Sequence, residues 1–316
     1  MPVLASCLVV GRAPGDSAHP HGSFSRSGAG RAHPLLRPAA FPGRCSSVTV
    51  IGCRRSRVPR TIAGNWSAPH PATGQGAVVE RDLISRLAHA DHPIAAPLGD
   101  ASVSALLERA LPRGDERLLD LGCGGGEWLL RALALAPGAT AEGVDVSEPA
   151  LGHARREAER RGLAERLTLH QADAAGFAPE RPADVVLCVG ATHAFGGLLP
   201  ALAAARKVLA PGGRVVVGEG YWEREPSAAA VEALGDLLDL PTTVDTITAD
   251  GWVPLYGHLS TRHELDDYEW NWTGSLAARS LDQPDVLAIA AAHRDGWLRG
   301  YRDCFGFATL LLAPLG

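Results

Sequence analysis

Leu118-Leu119-Asp120-Leu121-Gly122-Cys123-Gly124-Gly125-Gly126 is an apolar run that ends in an acid and a glycine-dense turn, and the helix-like stretch Glu127 to Leu135 follows at once. Glycine is needed at such a junction because the backbone must take positive φ and let a ligand approach without a Cβ in the way. Taken alone, the pattern also fits an ordinary tight strand-to-helix turn, so its neighbours decide. A dinucleotide fingerprint needs a third small residue at the sixth position of GxGxxG, where this chain has Glu127, counting from Gly122. A carboxylate there repels a pyrophosphate. Asp120 adds a second acid, and two acids around the turn suit a cationic ligand better than a phosphate. No GK[ST] follows, which excludes a Walker loop.

Working outward, strand-like and helix-like segments alternate, as in a parallel sheet covered on both faces. Val79–Ala88 and Ser102–Ala110 read as helices ahead of the first strand, Arg117–Leu121. Ala141–Val146, Leu167–Gln171, Ala183–Val189 and Arg214–Glu219 read as strands two to five, separated by helices over Glu148–Arg161 and Leu198–Leu209. Beyond them, Ala228–Leu240 reads as one helix, Trp252–Leu259 as a strand, 262–300 as mixed helical material, and Phe305–Leu312 as the last strand.

The glycine turn resembles motif I of the class I S-adenosylmethionine-dependent methyltransferases, D/E-x-G-x-G-x-G, matched by Asp120, Gly122, Gly124 and Gly126. Asp145 stands nineteen residues after Gly126 in Val144-Asp145-Val146-Ser147. Alone it reads as a helix cap before Ser147-Glu148-Pro149, but in register with the turn it suits the acid that ends strand two and accepts from both ribose hydroxyls. Gln171-Ala172-Asp173-Ala174 ends strand three, and Leu209-Ala210-Pro211-Gly212-Gly213 resembles the family's L-x-P-G-G element. The likeness covers about residues 115 to 220, with four motifs in order.

The resemblance implies a doubly wound, Rossmann-like α/β fold with a seven-stranded sheet, six strands parallel and the last antiparallel. It implies S-adenosylmethionine as cofactor, with Asp120, Gly122, Cys123, Gly124 and Gly126 at its methionine end and Asp145 and Val146 at its ribose. Asp173 and the Ala174 amide would meet the adenine, with Val189 and Gly190 beneath; otherwise Asp173 is a turn residue. Arg86–Pro93, Gly190–Gly196, Gly218–Glu223 and Asp267–Trp270 look like a bacterial branch of small-molecule methyltransferases with no assigned substrate.

Methyl transfer from a sulfonium needs alignment, exclusion of water and at most one base. Ligands in open α/β sheets lie beyond the carboxyl ends of the strands, which puts His193, Glu219, Tyr221, Trp222 and Glu223 at the pocket mouth, with His193, Glu219 and Tyr221 as the candidate catalytic residues. His193 is either a general base, its ordinary pKa lying near neutrality, or a histidine that caps the following turn. His89 and His92 sit on a segment that could close as a lid. The 262–300 insertion carries Glu264, Asp266, Asp267, Glu269 and three tryptophans, and is either an acidic, aromatic cover for a basic or amphipathic molecule or simple core. His258, His263 and Glu264 lack the HExxH spacing, so no metal is expected.

Residues 1–77 read as a disordered basic tail rich in Gly, Pro, Ser and Arg, which as a functional segment would be an organelle transit peptide or a basic arm for an anionic partner and otherwise is a misassigned start, and 78–316 as the enzyme domain, with its core at 115–220. The strand-four loop lacks Asn-Pro-Pro-Tyr, and the net charge is −5, so neither nucleic acid nor membrane is an expected partner. Six unpatterned cysteines and the absence of a secretory signal or long apolar run fit a cytoplasmic protein acting on a small molecule. Two readings differ in kind: a non-catalytic S-adenosylmethionine-binding regulator, and an NAD-dependent oxidoreductase.

Overall fold

A computed structural model of the chain describes residues 75–315, with side chains from Arg81 onward, and these fall within one unit. Residues 1–74, most of the expected tail, lie outside the described residues. Helix α1 (Gln75–Ala88) begins three positions before the expected domain start, where Gly76 obscures the apolar period. It precedes α2 (Asp100–Ala110), β1 (Arg117–Leu121), α3 (Glu127–Leu135), β2 (Thr140–Asp145), α4 (Glu148–Arg160), β3 (Leu167–Gln171), β4 (Ala183–Val189), α5 (Leu198–Val208) and β5 (Leu209–Trp222).

The seven strands run in the order β3-β2-β1-β4-β5-β7-β6, with β6 spanning Trp252–Leu259 and β7 spanning Phe305–Pro314. Strands β1 to β5 pair in parallel, and β7 runs antiparallel to both β5 and β6. Its first eight residues, Phe305–Leu312, are all buried, as befits a strand covered on both faces. One face packs Leu118, Val185, Leu187 and Val216 under apolar residues of α2, α3 and α4. The other packs Leu119, Leu121, Val186 and Val217 under Leu202, Ala205 and Val208 of α5. Since β2 and β4 flank β1 while successive crossovers leave on opposite sides, the sheet opens a crevice at the carboxyl ends of β1 and β4.

Two expectations need correction. The single helix read over Ala228–Leu240 is two helices, α6 (Ala228–Leu234) and α7 (Leu240–Ala249). Gly235, at φ 81°, ends the first, and Asp239 starts the second by accepting the Thr242 amide at 2.8 Å, with Pro241 in the opening turn. Strand β5 also extends past both expected ends, pairing Leu209 with Ala183 and continuing to Trp222 opposite Phe305.

The insertion folds as α8 (Arg262–Ala278) and α9 (Pro284–Gly296), closed by one π-helical turn at Trp297–Tyr301. Ile84 and Ala88 of α1 share a small core with Tyr268, Trp272, Leu276 and Ala290. Glu264 completes a capping box with Thr261 at the start of α8 and also accepts from the Gly99 amide at 2.9 Å and Ser102 at 2.6 Å, tying α8 to the start of α2.

Glu127, expected to face a ligand at the glycine turn, turns away from it. Its buried carboxylate accepts from Arg131 at 2.8 Å and Arg161 at 2.8 Å, so its charge is neutralised between α3 and α4. Replacing Glu127 with Ala strands two half-buried guanidiniums, and urea denaturation is expected to show a loss of about 2–3 kcal/mol.

Candidate functional site

The β1-to-α3 turn is built from three left-handed glycines: Gly122 at φ 90°, Gly124 at φ 50° and Gly126 at φ 75°. Two of them are also points of contact. A Cβ on Gly122 would stand 2.6 Å from Ala191 Cβ after β4, and one on Gly126 would stand 2.9 Å from Ala154 Cβ in α4. Above Gly124 no atom lies within 4 Å, so the middle of the turn is open to a ligand. The turn is tied to β2 by the amides of Gly122 and Cys123, both donating to the Val144 carbonyl at 2.9 and 3.0 Å. The Cys123 side chain is buried beneath, against Gly143.

Asp145, ending β2, accepts from the Gly124 amide at 2.9 Å through one carboxylate oxygen and from the Ser147 amide at 2.9 Å through the other. The capping role is taken instead by Ser147, whose hydroxyl accepts from Ala150 at 3.3 Å and donates to Asp82 of α1 at 3.2 Å. Val146 is an apolar side chain 62% exposed beside the turn. Asp173 is exposed and accepts from the Ala175 amide at 3.0 Å, which is the turn-residue geometry, while Ala174 is buried.

Asp120 is the electrostatic anomaly of the site. It is 4% exposed, and no donor among the described residues meets its carboxylate. Burial, with the charge of Asp145 nearby, pushes its pKa up to about 8. A buried carboxyl without a partner is costly unless a cationic group arrives to pair with it. The open space over Gly124, the orphaned Asp120 and the two-oxygen carboxylate of Asp145 therefore fit a ligand with an ammonium end and a vicinal diol.

A second cleft lies beside the first. It holds about 390 Å³ of space free of protein atoms, part of it open to solvent, and is lined by Gly190, Thr192, His193 and Glu219 together with Leu234, Leu237, Phe305 and Phe307. The β4 loop forms the wall between the two: Ala191 rests on Gly122, and Gly190 and Thr192 face the cleft. Val189, half-buried, ends β4 against Gly218. The rings of Phe305 and Phe307 lie over Gly220 and Gly218 of β5, where any Cβ would stand under 3 Å from ring carbons.

Glu219 accepts from the Thr192 hydroxyl at 2.7 Å and from the Gly220 amide at 3.2 Å, and burial raises its pKa. His193, in the short turn Thr192–Phe195, keeps part of its surface exposed, while desolvation of the rest lowers its pKa. Thr192 was not singled out from sequence, nor were the leucines and phenylalanines of this cleft.

Several expected site residues stand elsewhere. Tyr221 is buried against Gly306 in the core behind the sheet, not in the cleft, and burial raises its pKa. Glu223 pairs with Arg262 at 3.0 Å, and Trp222 packs edge-on to Phe305. His89 shares a hydrogen bond with the Tyr268 hydroxyl at 3.0 Å, and His92 meets the same ring edge-on at 5.4 Å, so both pack against α8. Burial pushes the pKa of His89 down to about 4.

The acids of the insertion are engaged internally: Asp266 by Arg302 at 2.6 Å, Glu269 by His293 at 2.7 Å and Tyr301 at 2.9 Å, and Glu264 by His258 at 3.1 Å. Trp272 stacks on His293, and Trp297 is buried. The core alternative therefore describes Glu264, Asp266, Glu269, Trp272 and Trp297, while Asp267 and Trp270 of the residues named for a cover stand exposed.

Comparison with known proteins agrees with this architecture. A family profile described as a methyltransferase domain matches residues 119–215. YjhP of Escherichia coli (strain K12), an uncharacterized protein, is 32% identical over 242 residues, covering 72% of this chain and 97% of that protein. The S-adenosylmethionine-dependent methyltransferase of Geobacter sulfurreducens, solved with S-adenosyl-L-homocysteine, superposes with a TM-score of 0.67 at 26% identity, covering 73% of this chain and 98% of the other. A counterpart from Thiobacillus denitrificans, solved with the same compound, gives 0.66 at 26% identity, covering 72% and 97%. Among the described residues, no helix is long and apolar enough to cross a membrane. With its glycine turn, strand order and relatives in agreement, the chain belongs to the class I S-adenosylmethionine-dependent methyltransferases and is an enzyme that draws its methyl group from that cofactor.

Proposed function

We propose that the chain methylates an O, N or S atom of a small molecule bound in the cleft between Glu219 and the phenylalanines of β7. The observation that carries this reading is the shared wall: Ala191 packs on the glycine turn, while its neighbours Gly190 and Thr192 line the second cleft. An acceptor there is within reach of a methyl donor held at the turn. The cofactor supplies an electrophilic methyl group on a sulfonium, so the protein's task is positioning, desolvation and at most one proton transfer. A net charge of −5 and unpatterned cysteines support a small acceptor and a cytoplasmic setting over a nucleic-acid one.

In this reading Asp120 takes the ammonium end of the cofactor, with Gly122, Cys123, Gly124 and Gly126 forming the floor. Asp145 takes the ribose hydroxyls, since each of its oxygens has a lone pair beyond the one given to the Gly124 or Ser147 amide. Val146 offers its exposed apolar face to the adenine, and the second oxygen of Asp173, with the Ala174 amide, its edge. Val189 and Gly190 bound the floor on the β4 side. His193 is the general base: its lowered pKa keeps the imidazole neutral and able to accept a proton at physiological pH. Tyr221 has no direct part, because its side chain is in the core.

Three outcomes test these assignments. Asp145→Ala is expected to weaken S-adenosylhomocysteine binding by roughly 2–4 kcal/mol in calorimetry, because it deletes a charge-assisted bidentate acceptor. An unchanged affinity would remove Asp145 from the site.

For Asp120 the folded pKa of about 8 lies above the ordinary carboxyl value of 3.8, so the folded state holds a proton that the unfolded chain releases. Stability of the cofactor-free protein should thus decline as pH rises between these two values and level off above them. Asp120→Asn removes that decline. Against the native chain it should gain roughly 1–3 kcal/mol by about pH 9 and little near pH 4, while losing at least about tenfold in S-adenosylhomocysteine affinity. A stability gap that does not widen with pH refutes the assignment.

Finally, turnover should fall on the acid side as His193 takes a proton, at a pH below the ordinary histidine value, and His193→Gln should abolish that limb while leaving cofactor affinity intact. Persistence of the acid limb in the variant would assign it to another group.

A further inference from the structure

Glu219, half-buried, is met differently from Glu127 and Glu269. Glu127 has two arginines and Glu269 has a histidine and a tyrosine, whereas Glu219 has only the Thr192 hydroxyl and the Gly220 amide. Among the described residues no arginine, lysine or histidine stands within ion-pair distance of it. Around it the cleft is apolar: Leu234 and Leu237 on one wall, the rings of Phe305 and Phe307 on another. The rings are held there by the glycines beneath them, since a side chain at 218 or 220 would lift them off the sheet.

Resting on the reading of this cleft as the acceptor site, we propose that the acceptor is an amphiphilic amine, its apolar body against the two leucines and two phenylalanines and its cationic nitrogen paired with Glu219. A negative charge in apolar surroundings is costly without a counter-charge, and the two neutral donors it has do not supply one. His193 on the rim is kept neutral by desolvation, so it does not compete for the carboxylate. Thr192 acts through Glu219 as a positioning residue: its hydroxyl fixes one carboxylate oxygen and leaves the other, held only by a 3.2 Å amide contact, to the ligand.

The test is calorimetry on the full chain saturated with S-adenosylhomocysteine, near neutral pH, with matched probes: phenethylamine against 2-phenylethanol, and tryptamine against tryptophol. Each amine is expected to bind at least about tenfold more tightly than its alcohol. Glu219→Gln should bring the two members of each pair to within about twofold while leaving S-adenosylhomocysteine affinity unchanged. Thr192→Val, which keeps the charge, should weaken the amines by about three- to tenfold without moving the alcohols, and, for an amine that is turned over, raise KM and leave kcat.

Alcohols that bind as well as amines, an amine preference that survives Glu219→Gln, or S-adenosylhomocysteine binding with no amine binding at all overturns the proposal and leaves the cofactor site standing. Failure of the native chain to bind S-adenosylhomocysteine overturns the underlying reading and the proposal with it. The native comparison of amine with alcohol decides the matter even where a variant fails to fold.

Discussion

The fold depends on a close approach. The turn between β1 and α3 has to pass under the β4 loop at Ala191 and against α4 at Ala154, with less than the diameter of a methyl group to spare at both points. Only glycine satisfies the space and the left-handed backbone together, at Gly122 and again at Gly126. That packing sets the N-terminus of α3 at the crevice and brings the Gly124 amide onto the Asp145 carboxylate at 2.9 Å. The site is thus a consequence of how tightly three strands and two helices are joined, and Gly124, with nothing above it, is the one position of the turn left for a ligand.

Strands β1 and β4 were legible because each is a short, mostly apolar run followed by a glycine, so local chemistry and the sheet agree. Arg117–Leu121, Leu167–Gln171 and Ala183–Val189 stand as expected, residue for residue. Legibility fades where helices meet end to end. Nothing in the apolar period of 228–240 marks Gly235 as a stop, because Leu234, Leu237 and Leu240 continue the helical spacing through it. The break follows from tertiary pairing: the Trp222 amide donates to the Leu238 carbonyl at 2.9 Å, which keeps residues 236–239 out of the helix.

The second cleft was harder still to foresee, for a reason of register. Gly218 and Gly220 alternate, as do Phe305 and Phe307, yet their meaning appears only once β5 and β7 are paired, with Gly220 opposite Phe307 and Trp222 opposite Phe305. Some eighty residues separate the two strands, and no local pattern fixes which residue faces which. Alternation also misled at Tyr221. Being two residues from Glu219 it shares that side chain's face of β5, but the ring folds over Gly306 and enters the core. Acidic residues of the insertion misled differently, since a list of acids and tryptophans does not reveal which acids have partners.

Partnership of charge is what separates scaffold from candidate site in this molecule. Glu127, Glu269 and Asp266 are all desolvated to some degree, and each is met by arginine or histidine, so their placement stabilises α3, α8 and α9 against their neighbours. Buried Glu116 is met by two backbone amides alone, and Asp120 and Glu219 likewise lack a cation, the first beside the open turn and the second in the apolar cleft. A fold selected only for stability would have neutralised or removed both, because an unpaired carboxylate in the interior lowers the free energy of unfolding. Two such groups, one facing an open glycine turn and the other an apolar cleft, are the arrangement expected of a protein that completes its electrostatics with two positively charged ligands held side by side.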